Sequence, residues 1–413
     1  MRRREYIAAL VAGTAVTAGC LGDAGEGSGT SPAPGTTSGT GADTTPGGAP
    51  ATNATPPGSG PGTATRTHEP VDVPNLRDVQ LPLDSGDMVK AVGKDAIPAI
   101  TEPVFGADWS GVSVPGYTGE AAEPRLEPSD RVIGVERDGR ARAYPLLILN
   151  NHEVVNDEFG GPLLVSYCPL CGAGVTAVRR VDGQVTQFGV SGYLWRSDLV
   201  MYDALTDSLW SQILATAVRG PQTGQALELL PSTLTTWGTW RADHPDTAVL
   251  RPPPESKTVG GAETRYYAGN PYAGYGDSRQ IGIGYNDFED DRLHPKVQVL
   301  GVTVDGTARA YPLPAVRQAG VVNDAVAGRP IVVAAGPSAT LVAYERTVDG
   351  ETLRFHRADE GHLVAGGSRW ALVTGRAVDG PHVGTTLVPA NDRSPMFWFA
   401  WLDFHPETGL YGQ

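Results

Sequence analysis

The sequence predicts a mainly β protein with a few short helices, built from two related domains that resemble barrels or sandwiches; an α+β class also fits. Two observations carry this prediction. A set of short motifs occurs twice in the same order, which is the pattern of an internal duplication. In both copies, Asp-Gly pairs separate short runs of apolar or alternating residues, which is typical of β-hairpins.

The duplication is clearest in one long segment, because residues 134–146 recur as residues 301–313 with Asp-Gly and Tyr-Pro-Leu in register. Shorter matches follow in the same order: Val155-Asn156-Asp157 with Val322-Asn323-Asp324, Val181-Asp182-Gly183 with Val348-Asp349-Gly350, Trp210 with Trp370, Trp240 with Trp401, and His244 with His405. Residues shared by both copies most simply serve the fold. We therefore interpret His244 as a helix-end or core histidine.

These matches divide the chain into six parts. The divisions are a leader at 1–20, a Gly/Ser/Thr/Pro-rich stalk at 21–68, a lead-in at 69–129 that packs on the first copy, the first copy at 130–250, a connector at 251–296 and the second copy at 297–413.

Local signals place the turns and helices inside each copy. Asp138-Gly139, Asp182-Gly183, Asp305-Gly306 and Asp349-Gly350 predict tight hairpin turns. A short helix is predicted within 146–155, and a second over 231–242, where Pro231 suits the start of a helix and Pro245 stops it.

The first twenty residues predict export and lipid anchoring. Arg3-Arg4 followed by a short apolar run resembles a twin-arginine signal, and Thr17-Ala18-Gly19-Cys20 resembles a lipobox whose Cys20 would be lipidated. A plain signal peptide or a short anchor helix is the alternative. The stalk has too few apolar residues to form a core, and Asn53 begins an N-glycosylation sequon. We expect an extracytoplasmic protein held to the membrane by the lipid on Cys20.

The charge of the chain excludes one class of partner. Aspartate and glutamate number 46 against 32 lysines and arginines, so the formal net charge is -14. An acidic surface repels phosphate backbones, which argues against nucleic acid as a partner.

The chemistry of the chain centres on Cys168-Pro169-Leu170-Cys171, because the third cysteine, Cys20, lies in the leader. Apolar runs on both sides predict a turn between two strands. Three hypotheses remain open for the pair: a soft metal site, a reversible dithiol, or an inert structural disulfide. A four-cysteine zinc site is excluded, since the chain has no second pair.

The second copy lacks the residues that could support such chemistry. Gly336-Pro337-Ser338-Ala339 stands where the first copy has the cysteine turn, and Ala319 stands where it has His152. Phe355 lies 167 residues after Phe188, whereas Trp370 lies 160 residues after Trp210. The first copy therefore has seven extra residues between Gly189 and Leu209, which we expect to form a loop over the cysteine turn.

We predict a thiophilic metal site formed by His152, Cys168 and Cys171, with Met201 as a weak fourth ligand. Thiolates with one imidazole suit copper or zinc, and the site would serve metal handling or electron transfer. One alternative is a thiol-disulfide redox protein that uses the cysteine pair. Another is a non-enzymatic binding or scaffold module with one disulfide. Whether the chain is an enzyme stays open, and a redox or metal-donor protein is the expected partner.

The motifs also support a family resemblance. Asn151-His152-Glu153-Val154-Val155-Asn156-Asp157, Tyr167-Cys168-Pro169-Leu170-Cys171-Gly172, Leu199-Val200-Met201-Tyr202-Asp203 and Ser208-Leu209-Trp210-Ser211-Gln212 resemble the domain of unknown function 3179 family over about residues 90 to 413. The resemblance implies exported bacterial and archaeal proteins with this repeat and no established activity. It departs at Asn151, where the family commonly has an aromatic residue before the histidine.

Overall fold

A computed structural model describes residues 70–73, 76–115, 120–283 and 288–413. These residues belong to one compact unit. The predicted lipidation site Cys20 and the sequon at Asn53 lie outside the described residues. Strands account for 43% and helices for 9% of the structure, so the mainly β prediction is confirmed.

Residues 71–258 contribute 21 short strands within the described ranges. They are β1 Val71–Val73, β2 Leu76–Leu81, β3 Val89–Lys90, β4 Ile100–Glu102, β5 Val104–Gly106, β6 Val114–Pro115, β7 Ala121–Ala122, β8 Arg131–Arg137, β9 Arg140–Pro145, β10 Val154–Glu158, β11 Pro162–Cys168, β12 Ala173–Val178, β13 Arg180–Val181, β14 Gln184–Val185, β15 Phe188–Trp195, β16 Asp198–Asp203, β17 Leu209–Ser211, β18 Thr216–Arg219, β19 Thr233–Thr236, β20 Ala248–Arg251 and β21 Lys257–Thr258.

Residues 298–410 contribute the other twelve strands of the described residues. They are β22 Gln298–Val304, β23 Thr307–Pro312, β24 Val321–Val326, β25 Arg329–Ala335, β26 Leu341–Glu345, β27 Thr347–Val348, β28 Glu351–Thr352, β29 His356–Arg357, β30 His362–Ala365, β31 Ser368–Ala371, β32 Met396–Phe397 and β33 Gly409–Leu410. Four helices lie within the described residues: α1 Leu146–His152, α2 Trp237–Asp243, α3 Leu313–Ala319 and α4 Trp398–Phe404. None of them has the length and apolar run that crossing a bilayer requires.

The strands form a six-bladed arrangement like that of a β-propeller, so the predicted barrel or sandwich is wrong. Six sheets have three or more strands, in the orders β19-β8-β9-β20-β5, β12-β11-β10-β4-β21, β18-β17-β16-β15-β3, β32-β22-β23-β33, β24-β25-β26 and β29-β30-β31. Within the described residues, strand pairing stops at the edge of each small sheet instead of continuing around a closed barrel or across two large facing sheets. Side chains between the sheets then supply the core.

Several blades are completed by strands that are distant in sequence. From the lead-in, β3 pairs with β15, β4 with β10 and β5 with β20. Strands of the lead-in are thus hydrogen-bonded members of the sheets formed by residues 130–250. After α2 and after α4, the chain returns with a strand that pairs in parallel: β20 pairs with β9, and β33 pairs with β23.

All four predicted Asp-Gly turns are confirmed. Each pair joins two adjacent antiparallel strands, and both of its residues have positive φ, from 48° at Asp182 and Asp305 to 83° at Gly350. Positive φ at both central residues is the geometry of a type I′ hairpin, which Asp-Gly favours.

The structure confirms one of the two predicted helices and only part of the other. The first is confirmed as α1. The second covers only the latter part of 231–242, because Thr233–Thr236 pairs with β8 as β19 and α2 begins at Trp237. Thr236 caps α2 by accepting a hydrogen bond from the backbone of Thr239. A run of β-branched residues before a capping threonine favours this division.

Residues 130–250 and 297–413 contain matching side-chain contacts. A tyrosine hydroxyl donates to an aspartate carboxylate at 2.6 Å in Tyr144–Asp157 and at 3.0 Å in Tyr311–Asp324. A tryptophan indole donates to a threonine hydroxyl at 2.9 Å in both Trp240–Thr247 and Trp401–Thr408. A histidine ring stacks on a tryptophan ring, with the ring centres 3.9 Å apart, in both Trp240–His244 and Trp401–His405. Close approach is shared too, since a Cβ on Gly134 or Gly301 would lie 2.4 Å or 2.0 Å from the facing Trp240 or Trp401 ring. The prediction that His244 ends a helix is confirmed.

Candidate functional site: a buried thiol–carboxylate centre

The cysteine turn joins β11 to β12, as the sequence predicts. Cys168 ends β11 and pairs with Ala173, the first residue of β12. Gly172 has φ 64° and a Cβ there would lie 3.1 Å from the Phe397 ring, so the position needs glycine for both conformation and space. The turn is thus held closely against the element that carries Phe397.

The hairpin of β15 and β16 lies over this turn, almost entirely within the 189–209 segment where the sequence predicted a loop. Its two-residue turn, Arg196-Ser197, has positive φ at both positions, 52° and 66°, without a glycine. The Ser197 carbonyl accepts from the Cys171 thiol at 3.2 Å and lies 3.7 Å from the Cys168 sulfur. A left-handed conformation at such residues is costly and is commonly kept at functional sites.

Cys168, Cys171 and Asp198 form the candidate site, which we call the thiol–carboxylate centre. Their two sulfurs and one carboxylate oxygen lie within 4.8 Å of one another, and all three residues are buried. Both cysteines are free thiols. Asp198 Oδ2 accepts from Ser211 at 2.6 Å and from the Ile213 amide at 3.1 Å, which fixes the carboxylate. Asp198 Oδ1 is buried and has no hydrogen-bond partner among the described residues.

The centre is electrostatically unfavourable when its groups are charged. Burial, the hydrogen bond with Cys168 and the nearby Asp198 and Asp403 raise the pKa of the Cys171 thiol well above its usual range. Burial raises the pKa of Asp198 to about 7. Two more buried acids lie close by. Burial, then the charge of Asp198, raises the pKa of Glu153 to about 8, and burial raises that of Asp403 to about 7.

Arg196 is the basic residue that the structure places against these acids, and it only partly compensates them. Its guanidinium donates to the Asp403 carbonyl at 2.6 Å and lies 3.4 Å from the exposed Asp78 carboxylate. Asp403 Oδ2 has no hydrogen-bond partner among the described residues. The arrangement therefore buries two thiols and three carboxyls together with little positive charge.

The connector covers the centre from one side. Tyr275 reaches across it: its hydroxyl donates to the Leu170 carbonyl at 3.1 Å and accepts from the Gly282 amide at 2.9 Å. Lys296 is buried against the Tyr275 ring and donates to the Tyr275 and Ser278 carbonyls at 2.6 and 2.9 Å. The connector is thus fastened directly to the cysteine turn.

The structure does not bring His152 into the thiol–carboxylate centre. Its Nδ1 lies 2.7 Å from the Pro98 carbonyl and its Nε2 lies 2.7 Å from the Tyr267 hydroxyl. Burial lowers the pKa of His152 to about 4, so the ring is neutral and both nitrogens are engaged. Met201 is fully buried in the same apolar core as both cysteines, and its role as a weak ligand stays a prediction.

Sequence reasoning missed Asp198, Glu153 and Asp403. Asp198 lies between Gly189 and Leu209, where the sequence predicted seven extra residues, and Glu153 follows His152 directly. That predicted loop over the cysteine turn was the signal for Asp198. Asp403 carried no such signal, because its approach to Cys171 depends on how distant elements pack.

Comparison with known proteins yields one match. The family model described as "Protein of unknown function (DUF3179)" matches residues 94–408. No curated protein and no solved structure matches the chain.

The raised carboxyl pKa values predict a dependence of stability on pH. Unfolded carboxyls titrate near about 4, so between pH 6.5 and 8 they are ionised, while folded Glu153, Asp198 and Asp403 still bind protons. The unfolded state then binds fewer protons, and the free energy of unfolding falls as pH rises. Two kinds of group oppose this fall only in part. His152 and His405, whose folded pKa is lowered to about 4, act at the acid end of the window, where unfolded imidazoles are about half protonated, and Lys296, whose pKa is lowered to about 8, acts at its alkaline end.

We therefore expect reduced, chelator-treated protein to melt at a lower temperature at pH 8 than at pH 6.5. Asp198→Asn should lessen the fall, because it removes one of the three groups. Differential scanning calorimetry measures both. A melting temperature that is constant or rises across this window would contradict the burial of these acids without compensating charge.

Proposed function

The chain belongs to the DUF3179 family of proteins of unknown function, and we propose that it binds one thiophilic divalent cation at Cys168, Cys171 and Asp198. The observation that carries the proposal is the convergence of these three buried groups within 4.8 Å. Buried charges require pairing or metal coordination. A divalent cation would offset two thiolates and one carboxylate, and it would occupy the Asp198 oxygen that lacks a partner among the described residues.

The donor set favours zinc over copper. Zn²⁺ accepts both cysteine sulfur and aspartate oxygen, whereas Cu(I) is selected by soft sulfur ligands. With Asp198 in the place that the sequence assigned to His152, the third donor is hard. Three protein ligands leave one coordination position open, as in zinc sites that exchange or activate a ligand. We therefore favour zinc handling or ligand activation over electron transfer.

The thiol-disulfide alternative is less well supported. A redox-active cysteine needs a lowered thiol pKa and access to its partner. Burial raises the pKa of Cys171 instead, and both cysteines are buried. The same environment suits a metal ligand, because bound metal removes the proton from a coordinating thiol.

Zinc titration of the reduced full chain tests the proposal. We expect one equivalent to bind, and Asp198→Asn to weaken binding by roughly tenfold or more, because one donor is lost. Asp207→Asn is the matched control, since Asp207 follows the same hairpin but its side chain is 75% exposed; it should bind like the parent. His152→Gln should also keep its affinity.

Competition with a chromophoric chelator under anaerobic conditions measures these affinities. Equal zinc affinity of Asp198→Asn and the parent would contradict the proposed ligand set. Retention of zinc by a Cys168→Ser, Cys171→Ser double variant would contradict the site altogether.

We also propose that the two copies derive from a duplication and that only the first keeps the centre. The matching tyrosine–aspartate, tryptophan–threonine and tryptophan–histidine contacts of 130–250 and 297–413 support this. The cysteine turn has Pro337–Ala339 as its counterpart, a short 3-10 turn without ligating side chains. An experimental structure in which the two segments differ in strand order would contradict the duplication.

We further propose that the protein acts outside the cytoplasm, anchored by a lipid on Cys20. Cys20→Ser should move the protein from the membrane fraction to the soluble fraction of its natural host, because the acyl attachment point is lost. Fractionation followed by immunoblotting measures this. A variant that stays with the membrane to the same extent as the parent would contradict lipid anchoring.

A further inference from the structure

Glu153 occupies a backbone conformation that favours glycine. It ends α1 with φ 58° and ψ -31°. The equivalent position after α3 is Gly320, with φ 74° and ψ -59°. A Cβ disfavours positive φ, and glycine is the residue that commonly ends a helix in this way. A glutamate at this position therefore lowers the free energy of unfolding relative to glycine.

The surroundings of the Glu153 side chain add a second unfavourable feature. The residue is 7% exposed. Its carboxyl makes no hydrogen bond with the described residues, although its backbone carbonyl accepts from the Tyr167 amide at 2.8 Å. A buried carboxyl without such partners destabilises a folded protein. Two destabilising features at one residue indicate a role other than folding.

Glu153 borders a small cavity beside the thiol–carboxylate centre. The cavity has a volume of about 60 Å³. Leu170, which lies between the two cysteines, and Leu199, which follows Asp198, also line it. The rest of the wall is mostly apolar or aromatic and includes Val190, Tyr193, Tyr272 and Ile283. Since about 10–15 Å³ holds one water, the space accommodates a molecule of a few heavy atoms.

We propose that this cavity binds a short-chain alkylammonium ion, whose ammonium group meets the Glu153 carboxylate beside the thiol–carboxylate centre. The inference rests on the proposed zinc site, because the ligand would lie next to the bound cation. An apolar wall with one charged group is the pattern of a small-ligand site. Two thiolates, Asp198 and a divalent cation sum to one negative charge, and an ionised Glu153 adds another. A cationic end group therefore favours the charged form of this otherwise protonated carboxyl.

The test uses the zinc-loaded full chain with n-propylammonium as the probe and propionate as the charge-reversed control. Propylammonium should raise the melting temperature of the parent, and propionate should not. Glu153→Gly should melt about 2 °C higher than the parent without probe, and should lose the response to propylammonium. Glu153→Ala removes the carboxylate but keeps the unfavourable backbone, so it should lose the response and melt below Glu153→Gly.

Gly320→Ala is the matched control, because it introduces a Cβ at the equivalent helix end, where no described heavy atom apart from its chain neighbours would lie within 4 Å. It should melt below the parent and keep the response to propylammonium. A Glu153→Gly variant that melts several degrees below the parent would show that Glu153 serves the fold and would overturn the inference. An equal propylammonium response in the parent and in Glu153→Gly would overturn it as well.

Zinc content, measured in each sample, separates this inference from the proposed function. One equivalent of zinc in every variant, with a response that depends on Glu153, supports both. Normal zinc content without any response to propylammonium overturns only the inference. Failure of the parent to bind zinc contradicts the proposed function, whatever the response to the probe.

Discussion

The burial of two thiols and three carboxyls around one point is the constraint on which this part of the structure depends. Cys168, Cys171 and Asp198 converge within 4.8 Å, and Glu153 and Asp403 lie nearby. Burial is the largest cause that raises the pKa of each carboxyl, and the charge of Asp198 adds to it at Glu153, which shows how unfavourable the charged forms are. A bound cation reverses this penalty, because it converts mutual repulsion among the acids into attraction towards one positive charge.

The six-bladed fold explains how such a centre can be built from distant parts of the chain. The cysteine turn is supplied by one blade and Asp198 by the hairpin of the next, while the Phe397 amide donates to the Cys171 carbonyl at 2.9 Å. The connector closes over the turn through Tyr275. Each contributor is held by its own small sheet, and the apolar core that includes both cysteines packs against the site.

Local features of the structure could be predicted from the sequence, and the identity of the third ligand could not. The strand–turn–strand setting of Cys168 and Cys171, the four Asp-Gly hairpins and α1 all depend on neighbouring residues, which a sequence shows directly. The blades could not be seen, because β4 pairs with β10, and β21 with β4, from distant parts of the chain. His152 attracted the metal hypothesis through its residue type, yet the packing of Pro98 and Tyr267 engages both of its nitrogens. Asp198 reaches the cysteines only through a hairpin turn with two left-handed residues, a conformation that sequence pattern did not indicate.

X-ray absorption at the zinc edge, on the reduced full chain loaded with one equivalent of Zn²⁺, tests the central claim most directly. We expect two sulfur neighbours at about 2.3 Å together with oxygen neighbours at about 2.0 Å. The sulfur shell should be absent from a Cys168→Ser, Cys171→Ser double variant. A parent spectrum with only nitrogen and oxygen neighbours would contradict the assignment of the thiol–carboxylate centre as a metal site.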